Sequence, residues 1–231
     1  LPKGLAKGER TATILHLTRY YRSVSIRTVF RVMIGSPRPL AELETRERLV
    51  KAGYSWVDVD VRGTGASFGR WKYPLAPDEV QDGRDVTDWI VAQPWSAGTV
   101  GVIGGSYNAS LAVMQLANDH PAHKAVVSNF GFWDAFGEAF APGGLQAIGL
   151  VRPFSELLAG FDKNNLGPLG VNARLAVGGV FPVDRALLPA AQAERGKNSH
   201  LEQLLAPVFD LAEIKFNGLF KNGFVSGLKS K

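Results

Sequence analysis

Val100-Gly101-Val102-Ile103-Gly104-Gly105-Ser106-Tyr107-Asn108-Ala109 is the stretch whose reading decides the fold. A turn at Gly98 leads into Val100–Ile103, a short apolar and β-branched run that reads as a buried strand. From Tyr107 to about Asn118, Leu111, Met114, Gln115 and Leu116 mark a helix. Strand, then Gly-x-Ser, then helix is the context of a sharp turn that aims a serine hydroxyl outward. Gly104 leaves room where a side chain would collide with the helix. Amides at a helix N-terminus carry partial positive charge, so the Tyr107 N–H can donate to an oxyanion growing on an attacked carbonyl. Ser106 is thus the candidate nucleophile and Tyr107 the candidate donor beside it.

Outward from this stretch the same alternation repeats. Thr11–Leu17 reads as a strand, and Pro39 to Ala52 as a helix with Leu40, Leu43, Leu49 and Val50 among charges and Gly53 as its stop. Ser55–Val61 is a second strand, running into the turn Arg62-Gly63-Thr64-Gly65. After a long loop, Asp78 is the expected N-cap of a helix that turns Val80, Val86, Trp89 and Ile90 inward and ends by Pro94. Ala125–Ser128 is the fourth strand. Strands alternating with helices at this spacing imply a mostly parallel sheet, with function at the carboxyl ends of its strands. Beyond Phe130, Gly143-Gly144, Asn164-Asn165, Gly167-Pro168 and Gly178-Gly179 break up short apolar pieces, which reads as a helical, loop-rich lobe. The expected division is an α/β core over residues 1–135 and a cap-like segment over 136–231.

Composition narrows the classes of function. The chain has 231 residues, 45% hydrophobic and 20% charged, a globular balance with no eighteen-residue apolar run to cross a membrane. It has no cysteine and four histidines, which excludes disulfides and thiolate metal sites, and no His-x-x-x-His spacing suggests a metal. The net charge of +5 is scattered among acids, without a basic block interleaved with aromatics, so a nucleic-acid groove is not expected. The basic tail from Lys215 to Lys231 reads as solvated. Asp78, Glu79, Asp82, Asp85 and Asp88 read as a solvated helix face, and Asp60 with Arg62 as an ion pair shaping a turn. The chain is expected to be soluble, its compartment and oligomeric state open; it opens on Leu1-Pro2-Lys3-Gly4 with no Met or signal pattern, which suggests residues upstream.

Four motifs in order carry a more specific resemblance. Asp60-Val61-Arg62-Gly63-Thr64-Gly65-Ala66-Ser67, Asp85-Val86-Thr87-Asp88-Trp89-Ile90, Gln93-Pro94-Trp95-Ser96 and Gly104-Gly105-Ser106-Tyr107 together resemble the cocaine esterase and Xaa-Pro dipeptidyl-peptidase family, peptidase S15-like α/β-hydrolases of the CocE/NonD type. The likeness covers about residues 1–145. It implies a partial α/β-hydrolase core followed by a helical cap, and an esterase, acylase or dipeptidyl-peptidase acting on small esters, amides or short peptides without a cofactor. It carries the nucleophile's role onto Ser106 and the oxyanion-hole amide onto Tyr107. The second oxyanion donor, a tyrosine hydroxyl just after the first strand, maps to Tyr20, with Tyr21 as the alternative. Ala109 stands where the family motif ends in glycine, adding a methyl to a crowded contact.

A serine needs a histidine to take its proton and a carboxylate to hold that histidine's tautomer, in the chain order Ser, Asp, His. Nothing here resembles the family's motifs for either partner. His16 precedes the serine, His120 and His123 follow the far end of the elbow helix, and Asp184 with His200 keeps the order without a strand before either. The chain is therefore expected to stop short of its base and to be inactive as it stands. A catalytically dead fragment or binding module remains the rival. Dinucleotide binding at Gly63-Thr64-Gly65-Ala66-Ser67-Phe68-Gly69 is a weaker one, because Arg70-Trp71-Lys72-Tyr73-Pro74 follows where a helix would have to open.

Overall fold

The computed structural model describes residues 1–26, 41–170, 175, 177–180 and 184–205. The basic tail, the Pro39-Leu40 start of the first expected helix and part of the expected cap lie outside these residues. Two compact units result: residues 1–18, 38–59 and 77–132 form the first, and 19–37, 60–76 and 133–231 the second.

The first unit holds a four-stranded sheet built from β1 (Thr11–Thr18), β3 (Ser55–Asp60), β4 (Ser96–Gly105) and β5 (His123–Asn129), in the order β3-β1-β4-β5. β1 runs parallel to β4, with Ile14 opposite Gly101, and β4 runs parallel to β5, with Gly101 opposite Ala125 and Ile103 opposite Val127. Helices α1 (Ala41–Lys51), α2 (Pro77–Val91) and α3 (Tyr107–Met114, continued as a 3₁₀ turn to Asn118) alternate with the strands as their sequences imply. Four strands and three helices were expected here, and all are present within a few residues of their expected ends.

The two faces of the sheet differ in burial among the described residues. Along β1 and β4, Thr13, Leu15, Val100, Val102 and Gly104 are buried, beneath α2 and α3. α3 is buried nearly all round, from Tyr107 to Ala112 and again at Met114, which explains its apolar composition. The alternate residues Ala12, Ile14, Gly101 and Ile103 are half-buried, and Ala125 and Val127 are exposed.

The stripe that α2 buries is Glu79, Gly83, Thr87 and Ile90; of the residues expected inward, Ile90 is buried, Val80 and Val86 are half-buried and Trp89 is exposed. Trp89 is 53% exposed and lies edge-on to Trp95 at 6.3 Å. The helix begins at Pro77, a residue well suited to the first helical position, so Asp78 sits inside the first turn rather than capping it. Gly83 is required by packing: a Cβ there would come within 2.0 Å of the Gln115 amide oxygen.

The second unit contains α4 (Ile148–Asp162), α5 (Leu188–Arg195) and α6 (Leu201–Leu205), with α6 against α4. It also holds a short antiparallel pair, β2 (Val24–Ile26) with β6 (Val177–Val180). This pair was not expected, since Gly178-Gly179 read as a break. Its apolar cluster is Tyr21, Phe161, Leu166 and Val180, with Tyr20, Ala66, Leu157 and Leu188 packed against it. Asp162 holds the buried Arg19 at 2.8 Å, and the Arg19 guanidinium lies 5.0 Å over the Trp71 ring.

Candidate active site

The turn between β4 and α3 is as sharp as its sequence implies. Ser106 has φ 57° and ψ −127°, a left-handed conformation that costs a side-chain-bearing residue on the order of 1–3 kcal/mol. Its surroundings fix it there. The Ser106 N–H donates to the Asn129 carbonyl at the end of β5 (3.1 Å), and the Ser106 carbonyl accepts from the amides of Ala109 (2.9 Å) and Ser110 (3.3 Å). A Cβ at position 104 would sit 2.2 Å from the Asn108 carbonyl oxygen and 2.8 Å from the Ala109 nitrogen, so only glycine lets the strand pass under the helix. The serine residue is half-buried, not sealed beneath the sheet.

The Ala109 methyl, expected to crowd this contact, is accommodated by a second glycine. Ala109 is fully buried, and a Cβ on Gly131 would lie 2.9 Å from its methyl and 2.7 Å from the Ser128 hydroxyl. Volume gained at 109 is matched by volume absent at 131.

Tyr107 contributes its two ends differently. Its phenol is buried and donates to the equally buried Glu79 carboxylate at 2.9 Å, while its backbone amide begins α3. As the first residue of α3, that amide stands where a helix has no carbonyl of its own to offer. Glu79, read from sequence as part of a solvated acidic face, is therefore corrected to an anchor beneath the elbow. Its spacing with Gly83, Thr87 and Ile90, at successive helical turns, was the signal that could have found it.

Asn108 ties the same turn to the strands. Its side-chain amide donates to the Thr18 hydroxyl (3.1 Å) and to His16 Nε2 (3.3 Å). An acceptor at Nε2 puts the histidine's proton on Nδ1, which faces the Asp58 carboxylate at 2.8 Å; Arg46 reaches the other oxygen of Asp58 at 3.1 Å. Burial raises the Asp58 carboxyl, but the hydrogen bonds from His16 and Arg46 outweigh it and hold the group below the ordinary carboxylate value. This relay was missed, because His16 and Asp58 read as residues within strands. The signal was polar side chains interrupting two otherwise apolar strands.

The other histidines of this unit also have partners. His120 Nε2 meets Asp88 at 2.9 Å and its Nδ1 accepts the Ala122 amide, while His123 Nε2 meets the Thr87 hydroxyl at 2.9 Å. Burial lowers the His123 pKa, and neighbouring His120 lowers it further. In the second unit, His200 is exposed and so is Asp184, whose carboxylate accepts the Ala186 amide. Among the described residues no group of three or more His, Asp or Glu is arranged to hold a metal ion. No described helix is long and apolar enough to cross a membrane.

Tyr20 belongs to the second unit, where it is half-buried and edge-on to Phe161 at 6.3 Å. Tyr21 is a core residue: its ring packs on Phe161 at 4.9 Å, and its hydroxyl donates to the Phe161 carbonyl. Burial pushes the Tyr21 phenol well above its ordinary value. Of the two candidates for the second oxyanion donor, Tyr21 has its hydroxyl engaged by its own core.

The glycine-rich turn after β3 is built around Asp60. This buried carboxylate accepts from the Arg22 amide (2.7 Å), the Ala66 amide (2.9 Å) and Arg22 Nε (3.3 Å), which corrects the expected Asp60–Arg62 pair to Asp60–Arg22. Burial raises its pKa, and the bonds from Ala66 and Arg22 offset that only in part. A Cβ on Gly65 would fall within 2.3 Å of all three carboxyl atoms. No helix opens until Pro77, so the turn lacks the N-terminus that a pyrophosphate would need.

Comparison with known proteins gives this geometry its family. A Mycobacterium bovis protein bearing the name serine esterase is 39% identical over 213 residues, 88% of this chain and 34% of its own length. Cocaine esterase of Rhodococcus sp. is 30% identical over 110 residues, 47% of this chain and 19% of its own. An aminopeptidase structure from a marine sediment Thaumarchaeota archaeon superposes with a TM-score of 0.52 at 27% identity, over 68% of this chain and 26% of that one. The chain thus spans about a third or less of the proteins it matches. The model of the X-Pro dipeptidyl-peptidase (S15) family matches residues 1–173, a region that contains the whole parallel sheet and the strained serine turn, and the chain belongs to that family.

Proposed function

We propose that this chain carries the nucleophile half of a serine hydrolase that transfers an acyl group to water. Ser106 Oγ attacks the carbonyl carbon of an ester or amide, the Tyr107 amide and the Tyr20 hydroxyl receive the resulting oxyanion, and the alcohol or amine departs with a proton. Water then attacks the acyl-serine and releases the acid. The base that takes the Ser106 proton, and the carboxylate behind it, are assigned to no residue of this chain. We therefore propose that the chain alone does not turn over substrate. Small-molecule esters, amides and short peptides with a penultimate proline are the substrate class that the family resemblance implies.

The observation that carries the reading is the backbone of Ser106. A serine held at positive φ between a parallel strand and a helix, with Gly104 excluded from bearing any side chain, is a costly arrangement that a purely structural serine does not need. The glycine-rich turn after β3 supports no rival dinucleotide site.

The test uses a longer polypeptide that joins this chain to the remaining length of its relatives, assayed with p-nitrophenyl esters and Xaa-Pro anilides. Ser106→Ala should lower kcat/KM by about 10⁴-fold or more. Tyr20→Phe should lower it by about 10²–10³-fold, the worth of one oxyanion donor. Tyr21→Phe should leave the rate and cost about 1 kcal/mol of stability, as for a core hydrogen bond. An unchanged rate in Ser106→Ala would remove the assignment, and an effect at Tyr21 but not Tyr20 would reverse the choice of donor.

A further inference from the structure

The two residues that follow Ser106 are held by side chains from different elements: Tyr107 by Glu79 of α2, and Asn108 by His16 and Thr18 of β1. Asn108 is gripped on two sides. Its backbone carbonyl lies over Gly104 of β4, where a Cβ would come within 2.2 Å, and its side-chain amide donates to Thr18 (3.1 Å) and to His16 Nε2 (3.3 Å). Asn108 and Thr18 are 1% exposed and His16 is 5% exposed, so these bonds form away from bulk water. Polar groups are a costly way to fill such a space, since apolar residues of similar volume are often as stable or more so. What the hydrogen bonds add is direction, and the direction depends on one proton. A neutral imidazole donates at one nitrogen and accepts at the other. His16 Nδ1 faces Asp58 at 2.8 Å, and Arg46 holds the other oxygen of that carboxylate at 3.1 Å, which leaves Nε2 as the acceptor that Asn108 requires. A chain of hydrogen bonds thus runs from α1 through β3 and β1 to the first turn of α3.

Resting on Ser106 as the proposed nucleophile, we infer that His16, with its tautomer set by Asp58, is a positioning residue for the serine turn and acts through Asn108. It touches no reacting atom. Asn108 is the second residue of α3, so fixing it fixes the peptide that joins Ser106 to Tyr107, which carries the proposed oxyanion-donating amide. A turn without this hold still binds substrate but presents its hydroxyl and amide off line, and a displacement of about 1 Å can cost on the order of a hundredfold in rate. The loss therefore falls on kcat rather than on KM.

Two measurements test this. In this chain alone, NMR of the His16 ring nitrogens at neutral pH should show a proton on Nδ1 and none on Nε2. In the longer polypeptide, His16→Leu should lower kcat for p-nitrophenyl esters by about tenfold to a hundredfold and change KM by less than about twofold. His16→Gln, whose side-chain oxygen can accept from Asn108 where Nε2 does, should keep kcat within about threefold of the parent. The pair His16→Leu with Asn108→Leu removes both polar groups together, so it should melt at least as high as the parent and still turn over as slowly as His16→Leu. A role in stability alone would instead restore the rate with the stability. A proton on Nε2, an undiminished kcat in His16→Leu, an equal loss in His16→Gln, or recovery of the rate in the apolar pair would each overturn the inference. His16→Leu at the parent's rate beside an inactive Ser106→Ala removes the positioning role alone, whereas full activity in Ser106→Ala removes the nucleophile and the positioning role together.

Discussion

Two strands of this molecule end in glycine-bearing turns, and the turns do opposite things. After β4, Gly104 is demanded by the backbone of the helix that starts at once, and the residue left at the apex is a half-buried serine at φ 57°. After β3, Gly65 is demanded by a side chain, the Asp60 carboxylate, around which the loop closes with amides of Arg22 and Ala66. The first turn is pinned backbone to backbone, the Ser106 amide donating to the Asn129 carbonyl; the second gathers amides onto a buried acid. Both read as glycine-rich strand ends, and the group that excludes a side chain, fixed backbone in one and a carboxylate in the other, tells them apart.

The largest effect should come from Gly104→Ala. Its new methyl meets fixed backbone at 2.2 Å, which no side-chain motion relieves, so a loss of about 3 kcal/mol in urea unfolding is expected. Gly65→Ala should cost about 2 kcal/mol, from the same overlap and from the positive φ of 52°. The two turns then part. In an Asp60→Ala background the obstacle to a methyl at position 65 is gone, and Gly65→Ala should become cheaper by about 1 kcal/mol. Additivity in that double-mutant cycle would contradict the account of the second turn.

The carboxylates of β3 sharpen the contrast through pH. Asp58 titrates below its ordinary value of 3.8, so its stabilisation is present above that value and is lost as pH falls through the lower folded value. Asp60 titrates above 3.8, so it weakens the fold at neutral pH and returns that stability as pH falls through its folded value toward 3.8. Between about pH 6 and about pH 3, Asp58→Asn should lose less stability than the parent chain and Asp60→Asn should lose more. Shifts of the same sign in urea midpoints would break the distinction. The smallest effect is expected at Ala109→Gly: about 1 kcal/mol or less from helix propensity, because Gly131 already makes room for the methyl.

What was legible in the sequence follows from range. β4, the serine turn and α3 are specified by neighbours within a dozen residues, through β-branching, glycine placement and helical spacing, and their reading matches the structure. Glu79, His16 and Asp58 were not legible, because their roles depend on the register that brings β1, β3 and two helices together. A run of five acids reads as a solvated face until one learns that the Tyr107 phenol lies beneath it. The β2–β6 pair eluded the reading for a similar reason. Its strands have three and four residues, too short for a period, and are drawn from opposite ends of the described chain. Trp89 shows the converse, an apolar side chain that periodicity alone turned inward and that instead lies exposed against Trp95.

On the proposed function, the hydroxyl at position 106 becomes a nucleophile once a base is supplied. The most direct measurement is reaction of a fluorophosphonate probe with this chain and with the longer polypeptide, followed by mass-spectrometric mapping of the adduct. A single adduct on Ser106 is expected in the longer polypeptide, absent in Ser106→Ala, with little or none in the chain alone. No adduct in either, or an adduct on a different serine, would contradict it.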